Sequence, residues 1–296
     1  MRHMILVATA LSTAAPTKAQ QQDFSKVEIK VEQLAPGVAV LFGAGGNIGL
    51  IHGEDGNILV DDQYAPLTPK ILGAVKTVDP DPVAFVINTH WHRDHTGGNE
   101  NLGKAGAVIV AHANVRKRMS ADQFSARFGK TAASPTAALP VVTFGEGVSI
   151  HLNGQDVRVI HVANAHTDGD SLVWFEQARV LHMGDTYFHK VSLPFIDLDS
   201  GGSIDGVIKA TDIALAMLPA DAKIIPGHGP IANKADLGAY RAMLVEVRDK
   251  VAAAIAAGKS PDEVKAMRIA DPWAIKDGFI SPDSFVETVY KSLSAR

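Results

Sequence analysis

Short runs of β-branched and aliphatic residues, separated by turns, set the rhythm of the first half of the chain. EIKVEQL, VAVLF, IGLIHG and NILVDD are divided by Pro-Gly, Gly-rich and Asp-Gly turns, and each predicts a strand. PLTPKILGAVKTV (66–78) changes to helical apolar spacing, and AFVIN (84–88) reads as a buried strand. A second strand-rich block begins near Val141 with VVTF and continues through VSIHL, VRVIHV, SLVWFE and RVLHM. Two helical stretches, IDGVIKATDIALAML and KADLGAYRAMLVEVRDKVAAAIAAG, flank a strand in AKIIPG. Strand-rich blocks thus alternate with helices twice, which predicts an α/β (α+β) protein of two packed sheets with helices outside. The tail, 260–296, reads as a helical appendage, and no low-complexity linker divides 20–296, so that stretch reads as one domain.

The N-terminus breaks this rhythm. Arg2 and His3 precede the apolar run MILVATALSTAA, and Pro16 and the small-residue site around Ala19 follow it. That layout predicts a signal peptide over 1–19 and a periplasmic or secreted protein. A buried N-terminal strand or helix is the alternative. The apolar run is too short to span a bilayer as a helix, so no membrane anchor is expected in the mature chain. The chain contains no cysteine, which excludes a lipoprotein anchor, disulfides and thiol chemistry. A formal charge of −4, with no block of basic residues, gives no reason to expect nucleic acid, and the expected partner is a small molecule.

Chemistry concentrates in HWHRDHTGG, where His90, His92, Asp94 and His95 crowd into six positions behind a Val/Ile run. Imidazole and carboxylate suit zinc and neighbouring divalent ions. In an extended segment His90 and His92 point the same way, with Asp94 continuing the alternation and His95 starting a new direction. One segment can therefore serve two metals, but cannot complete both sites. Further ligands are expected where other apolar strands end: His166 in NAHTDGD, Asp185 in HMGDTY and His228 in PGHGP. The stretch GAGGNIG (43–49) imitates a dinucleotide loop, but Ile48 stands where the third Gly should fall and a strand follows, so it reads as a flexible hairpin loop. His52, His151, His161 and His182 lie inside strand patterns and read as packed or solvated side chains, and His112 is not expected to be a ligand. Tyr187, His189 and Lys190, just past Asp185, are candidates for touching substrate, and Tyr187, Phe188 and Trp91 read as either core or cleft wall.

The order HxHxDH, HTxGD, Gly-Asp and GHG resembles the metallo-β-lactamase superfamily, over roughly 27–258. The resemblance implies a four-layer αββα sandwich and two zinc ions per chain. It implies that His90, His92 and His166 bind the first ion, that Asp94, His95 and His228 bind the second, and that Asp185 bridges them. Asp61 would support the ligand loop from behind, and Asp170 would brace the HTxGD loop. The implied reaction is attack of a metal-bridging hydroxide on an amide or ester carbonyl, with Asp94 orienting the nucleophile and passing its proton to the leaving group. Layout is most similar to the β-lactamases with an Asp-Cys-His second site, with weak or promiscuous β-lactam hydrolysis implied. Asp185 stands where those have cysteine, and Phe188 where they carry a lysine, with Lys190 two positions later. The Asp185-bridged set is similar to glyoxalase II and lactonases, which makes a thioesterase or lactonase the alternative. A non-catalytic metal-binding protein is a third reading, and an oxygen-reducing di-iron flavoprotein would need a flavin domain that does not follow.

Overall fold

A computed structural model describes residues 23–295. The segment read as a signal peptide lies outside the described residues. Strands β1 (Lys30–Ala35), β2 (Val38–Phe42), β3 (Ile48–Ile51), β4 (Asn57–Val60), β5 (Val83–Asn88) and β6 (Val108–His112) build the first sheet. A small hairpin, β7 (Gln123–Ser125) with β8 (Gly129–Thr131), stands apart from it. Strand β9 (Val142–Phe144) then returns to the first sheet as its last strand. The second sheet runs in order through β10 (Gly147–Leu152), β11 (Gln155–His161), β12 (Ser171–Phe175), β13 (Val180–His182), β14 (Lys223–Ile225) and β15 (Ala232–Asn233). Both sheets are mixed: β4, β5, β6 and β9 pair in parallel, as do β13 and β14, and the remaining neighbours are antiparallel.

Alternation along each strand sorts its residues between two apolar layers. Val38 and Val40 of β2 face the second sheet, where they join Ile58, Ile87, Val159, Val173 and Phe175 in a core shared by both sheets. Ala39 and Leu41 face the other way, onto Ile71 and Val75 of α1 (Thr68–Val78). The outer face of the second sheet packs Leu172, Trp174, Leu181 and Ile224 against helices on its own side. The chain is therefore a four-layer αββα sandwich, as expected. Two short helices, α2 (Arg93–Thr96) and α3 (Asn99–Lys104), follow β5, and α4 (Ala113–Met119) follows β6. The longer α5 (Ile204–Met217) and α6 (Lys234–Ala256) cover the second sheet. The capping box of Asn233 and Asp236 fixes the start of α6. Among the described residues, no helix is long and apolar enough to cross a membrane.

Two sequence expectations change here. VVTF, grouped by sequence with the second strand block, pairs in parallel with β6 and closes the first sheet. A parallel partner is set by a crossover rather than by the nearest strand in sequence. The tail forms α7 (Pro261–Ala266) and α8 (Pro282–Ser294), and it is built into the core rather than appended to it. Val264, Phe285, Val286 and Val289 are buried in the same apolar cluster as α5 and α6.

Candidate metal centre

The ligand-type residues follow the ends of strands. His90 and His92 come just after β5, Asp185 after β13 and His228 after β14. His166 lies in the loop from β11 to β12. They gather into two adjoining groups. His90, His92, His166 and Asp185 bring one ligand atom each within 4.8 Å of one another, and Asp94, His95 and His228 do the same. Asp185 faces both groups at once. Its Oδ1 lies 3.0 Å from His95 Nε2 and 3.4 Å from His228 Nε2, while its Oδ2 lies 3.9 Å from His90 Nε2 and 3.7 Å from His166 Nε2. The extended alternation expected to include Asp94 stops before it, because the chain turns into α2 at Arg93. On that first helical turn Asp94 and His95 both reach the second group, with Asp94 Oδ2 3.2 Å from His228 Nε2.

Four of the five rings are aimed by what their other nitrogen touches. His90 Nδ1 lies 3.1 Å from Thr89 Oγ1, which itself donates to Asp61 Oδ2 at 2.7 Å. His95 Nδ1 lies 2.7 Å from Asp61 Oδ2, and His166 Nδ1 lies 2.7 Å from the Phe195 carbonyl. These contacts leave Nε2 of all three rings facing the cluster. His92 is turned the other way: its Nε2 meets Asp197 Oδ2 at 2.9 Å, so Nδ1 faces inward, 2.9 Å from His166 Nε2. Asp61 thus ties Thr89 and His95 together. Asp170 accepts from the backbone and hydroxyl of Thr167 at 2.7 and 2.6 Å, which braces the His166 loop.

The donors fit divalent ions. His90 Nε2 is buried and lacks a hydrogen-bond partner, though it points into the cluster. Unpaired buried polar atoms are costly unless an ion satisfies them. The surrounding backbone leaves room for nothing larger than hydrogen at two positions. A Cβ at Gly227 would collide with Asp185 Oδ1, and one at Gly46 with the His95 ring. The loop expected to be flexible is accordingly pinned over the site: Gly46 N donates to the Asp94 carbonyl at 3.0 Å, and Gln63 Nε2 donates to the Gly46 carbonyl at 2.7 Å.

Charge is divided between the two groups. Burial pushes His90 well below its ordinary range and takes His166 down to about 4, against the pull of Asp185. Burial also opposes charge on His95 and His228, but Asp185 and Asp94 outweigh it, raising His95 well above its ordinary range and His228 to about 9. Burial works against ionisation of the carboxylates too. His95 and His228 overcome it, holding Asp94 at about 2 and Asp185 well below the usual carboxylate range.

A cavity of about 630 Å³ opens onto this cluster, reaching Asp94, Asp185, His228 and Phe188. Phe188 stacks on the His228 ring at 5.2 Å between centroids. Tyr187, His189 and Lys190, the expected substrate contacts, do not line it. The backbone is extended at Tyr187 (φ −139°, ψ 120°), so alternate side chains take opposite sides. Phe188 takes the cavity side. Tyr187 is buried against Tyr240 and stacks on His189, whose Nδ1 lies 3.0 Å from the Pro230 carbonyl, and exposed Lys190 faces Asp236 at 4.0 Å. Trp91 lies on the cavity wall, its Nε1 donating to Ser200 Oγ at 3.2 Å. His112 and the four strand histidines belong to neither group. His182 is buried against the Asn47 carbonyl, His161 lies against the Asp170 carbonyl, and His112 caps α4. Sequence reasoning missed Asp197 and Phe195, which aim His92 and His166 from the irregular segment that follows Asp185.

An αββα sandwich with two His/Asp groups side by side, one carboxylate facing both, defines a class of protein able to hold metal ions at the rim of its sheets. Comparison then gives the family. A sequence model described as the metallo-β-lactamase superfamily matches residues 41–231, and the chain belongs to that superfamily. Among curated relatives, the α subunit of a 2,4-dinitroanisole O-demethylase from Nocardioides sp. is 30% identical over 143 residues, covering 47% of this chain and 40% of that protein. A hydroxyacylglutathione hydrolase from Rhodospirillum rubrum is 27% identical over 186 residues, covering 58% of this chain and 63% of that one. The chain thus spans under two thirds of either relative. Another hydroxyacylglutathione hydrolase, from Polaromonas sp., is 26% identical over 207 residues, covering 65% and 70%. Of solved structures, a metallo-β-lactamase from Pontibacter korlensis superposes with a TM-score of 0.60 at 19% identity, covering 73% of this chain and 99% of that one. An inverting sec-alkylsulfatase from Pseudomonas sp. gives 0.68 at 16% identity, covering 89% and 50%. At these identities the solved structures bear on fold alone.

Proposed function

We propose that the protein is a two-zinc hydrolase that cleaves an ester, thioester or amide carbonyl in a small molecule. The observation that carries this reading is Asp185, whose two oxygens face two separate groups of imidazole and carboxylate donors. His90, His92 and His166 would hold one ion, and Asp94, His95 and His228 the other, with Asp185 between them. The histidine-rich donor set suits zinc and neighbouring divalent transition-metal ions. Ions bound there would lower the pKa of a water molecule towards neutrality and polarise the substrate carbonyl.

The chain's own residues do the rest. Asp94 is ionised and keeps about a quarter of its side chain exposed to the cavity (24%), so Oδ2 can take a proton from the attacking water and return it to the leaving group. Phe188, packed flat on His228, shields that side of the site from bulk water. Esters and thioesters are favoured over β-lactams on two grounds. Phe188 offers no charge for a drug carboxylate, and relatives named as hydroxyacylglutathione hydrolases align over more than half of the chain. Weak β-lactam hydrolysis is retained as a side activity.

Nitrocefin, a lactone and an acylglutathione thioester, assayed in parallel with zinc-loaded and chelator-treated protein, test the reading. Hydrolysis of the lactone or thioester, abolished by chelation and restored by zinc, is expected. Zinc-loaded protein inactive on all three would point instead to a metal-binding protein without catalysis.

A further inference from the structure

One wall of the cavity is built from three distant parts of the chain. Phe128 comes from the β7–β8 hairpin, Phe195 from the loop after Asp185, and Phe279 from the segment before α8. Their rings pack together, with centroids 5.6 Å apart for Phe128 and Phe195 and 5.9 Å for Phe195 and Phe279. The Arg127 guanidinium lies 4.0 Å from the centre of the Phe279 ring and donates to the Phe279 carbonyl at 2.9 Å. That contact ties the hairpin to the C-terminal segment. Further hydrogen bonds anchor both pieces, from Ala126 N to Asp199 Oδ2 at 2.7 Å and from Ile280 N to Ser192 Oγ at 2.9 Å.

The wall begins at the metal cluster. Phe195 lies 5.9 Å from the His92 ring and 5.4 Å from that of His166, and from there the apolar surface runs outward to Phe128 and Phe279. Those two outer rings are half exposed, at 54% and 50%. Large apolar side chains held in place yet left open to water mark a binding surface. Arg127 is held against the rings, while exposed Lys130, which faces Asp122 at 2.7 Å, and Arg93 lie elsewhere on the cavity lining. The cavity, at about 630 Å³, is of the size that holds a whole small molecule.

We infer that Phe195, Phe128 and Phe279 form a subsite for an apolar acyl group, placed so that the carbonyl it carries meets the metal cluster. The inference rests on the hydrolase reading above and names its substrate class: esters, thioesters or lactones with an apolar acyl chain of several carbons. It also makes the C-terminal segment, through Phe279, a determinant of specificity.

A binding series tests it separately from catalysis. Alkyl hydroxamates from acetyl to hexanoyl, titrated calorimetrically into zinc-loaded protein, should bind about threefold more tightly per added methylene. Phe128→Ala and Phe279→Ala should each flatten that gain about tenfold at hexanoyl while leaving acetohydroxamate within twofold, and Phe279→Leu should restore most of it. A flat series, or one unmoved by either alanine variant, overturns the subsite. 4-Nitrophenyl esters of the same chain lengths run alongside. Esters hydrolysed with no chain-length preference would sink the subsite and keep the hydrolase. A graded hydroxamate series without hydrolysis of any ester, nitrocefin, the lactone or the thioester would keep the subsite and sink the hydrolase.

Discussion

Asp61→Asn is nearly isosteric, yet it should damage the second metal group more than many larger changes. The Asp61 carboxylate is fully buried and accepts three hydrogen bonds, from Thr89 N at 2.8 Å, Thr89 Oγ1 at 2.7 Å and His95 Nδ1 at 2.7 Å. A carboxylate can accept all three, but an amide cannot. With its NH2 towards His95, the amide forces Nδ1 to accept. The ring proton then moves to Nε2, the atom that faces Asp185 and that an ion would need. With its NH2 reversed towards Thr89 N, two donors oppose each other in a buried site, at a cost of about 1–3 kcal/mol. Loss of a group that orients a metal ligand typically lowers affinity about 10–100-fold, or about 1.4–2.7 kcal/mol, which matches that cost. The assay is competition for zinc against a chromophoric chelator, with urea unfolding of the metal-free protein as the parallel measurement. The weaker of the two zinc affinities should fall by that factor, or stability by that amount. Wild-type values for both would refute the role assigned to Asp61.

Asp185→Ala removes the one carboxylate that faces both groups, so zinc occupancy and hydrolysis should fall together. Activity surviving with two ions bound would show that Asp185 does not bridge. His112 offers a pH test away from the metal: burial, helped by the stacked His161, lowers it to about 4 from an ordinary 6.5. A histidine depressed in the folded state contributes stability that is present above pH 6.5 and lost as pH falls towards 4. His112→Asn, which can still cap α4, should therefore reduce the loss of stability between pH 6.5 and 4, and unfolding curves of equal pH dependence would contradict this. Export predicts a mature N-terminus near Gln20, and an intact mass retaining Met1 in material from the native host would place the protein in the cytoplasm.

Much of the site was legible because hydrophobic runs announce strands, and ligand-type residues follow soon after those runs end. His90, His92, His166, Asp185 and His228 were found in that way, and their gathering needs only that the strand ends meet. Asp197 was not legible. It meets His92 across 105 positions of sequence, and an aspartate in an irregular loop carries no local signal. The phase of the segment after Asp185 was missed for a different reason. Whether Phe188 or its neighbours Tyr187 and His189 face the cavity depends on one residue of register, which pairing with His228 decides. The same holds for VVTF, whose partner β6 is chosen by a crossover. The aromatic wall was invisible because its three rings come from positions 128, 195 and 279.

The central claim is that one carboxylate joins two metal groups, and anomalous X-ray diffraction from zinc-loaded crystals tests it most directly. Two zinc peaks per chain are expected, one among His90, His92 and His166 and one among Asp94, His95 and His228, with an Asp185 oxygen bonded to each. A single peak, or two peaks with Asp185 bonded to only one, would contradict it.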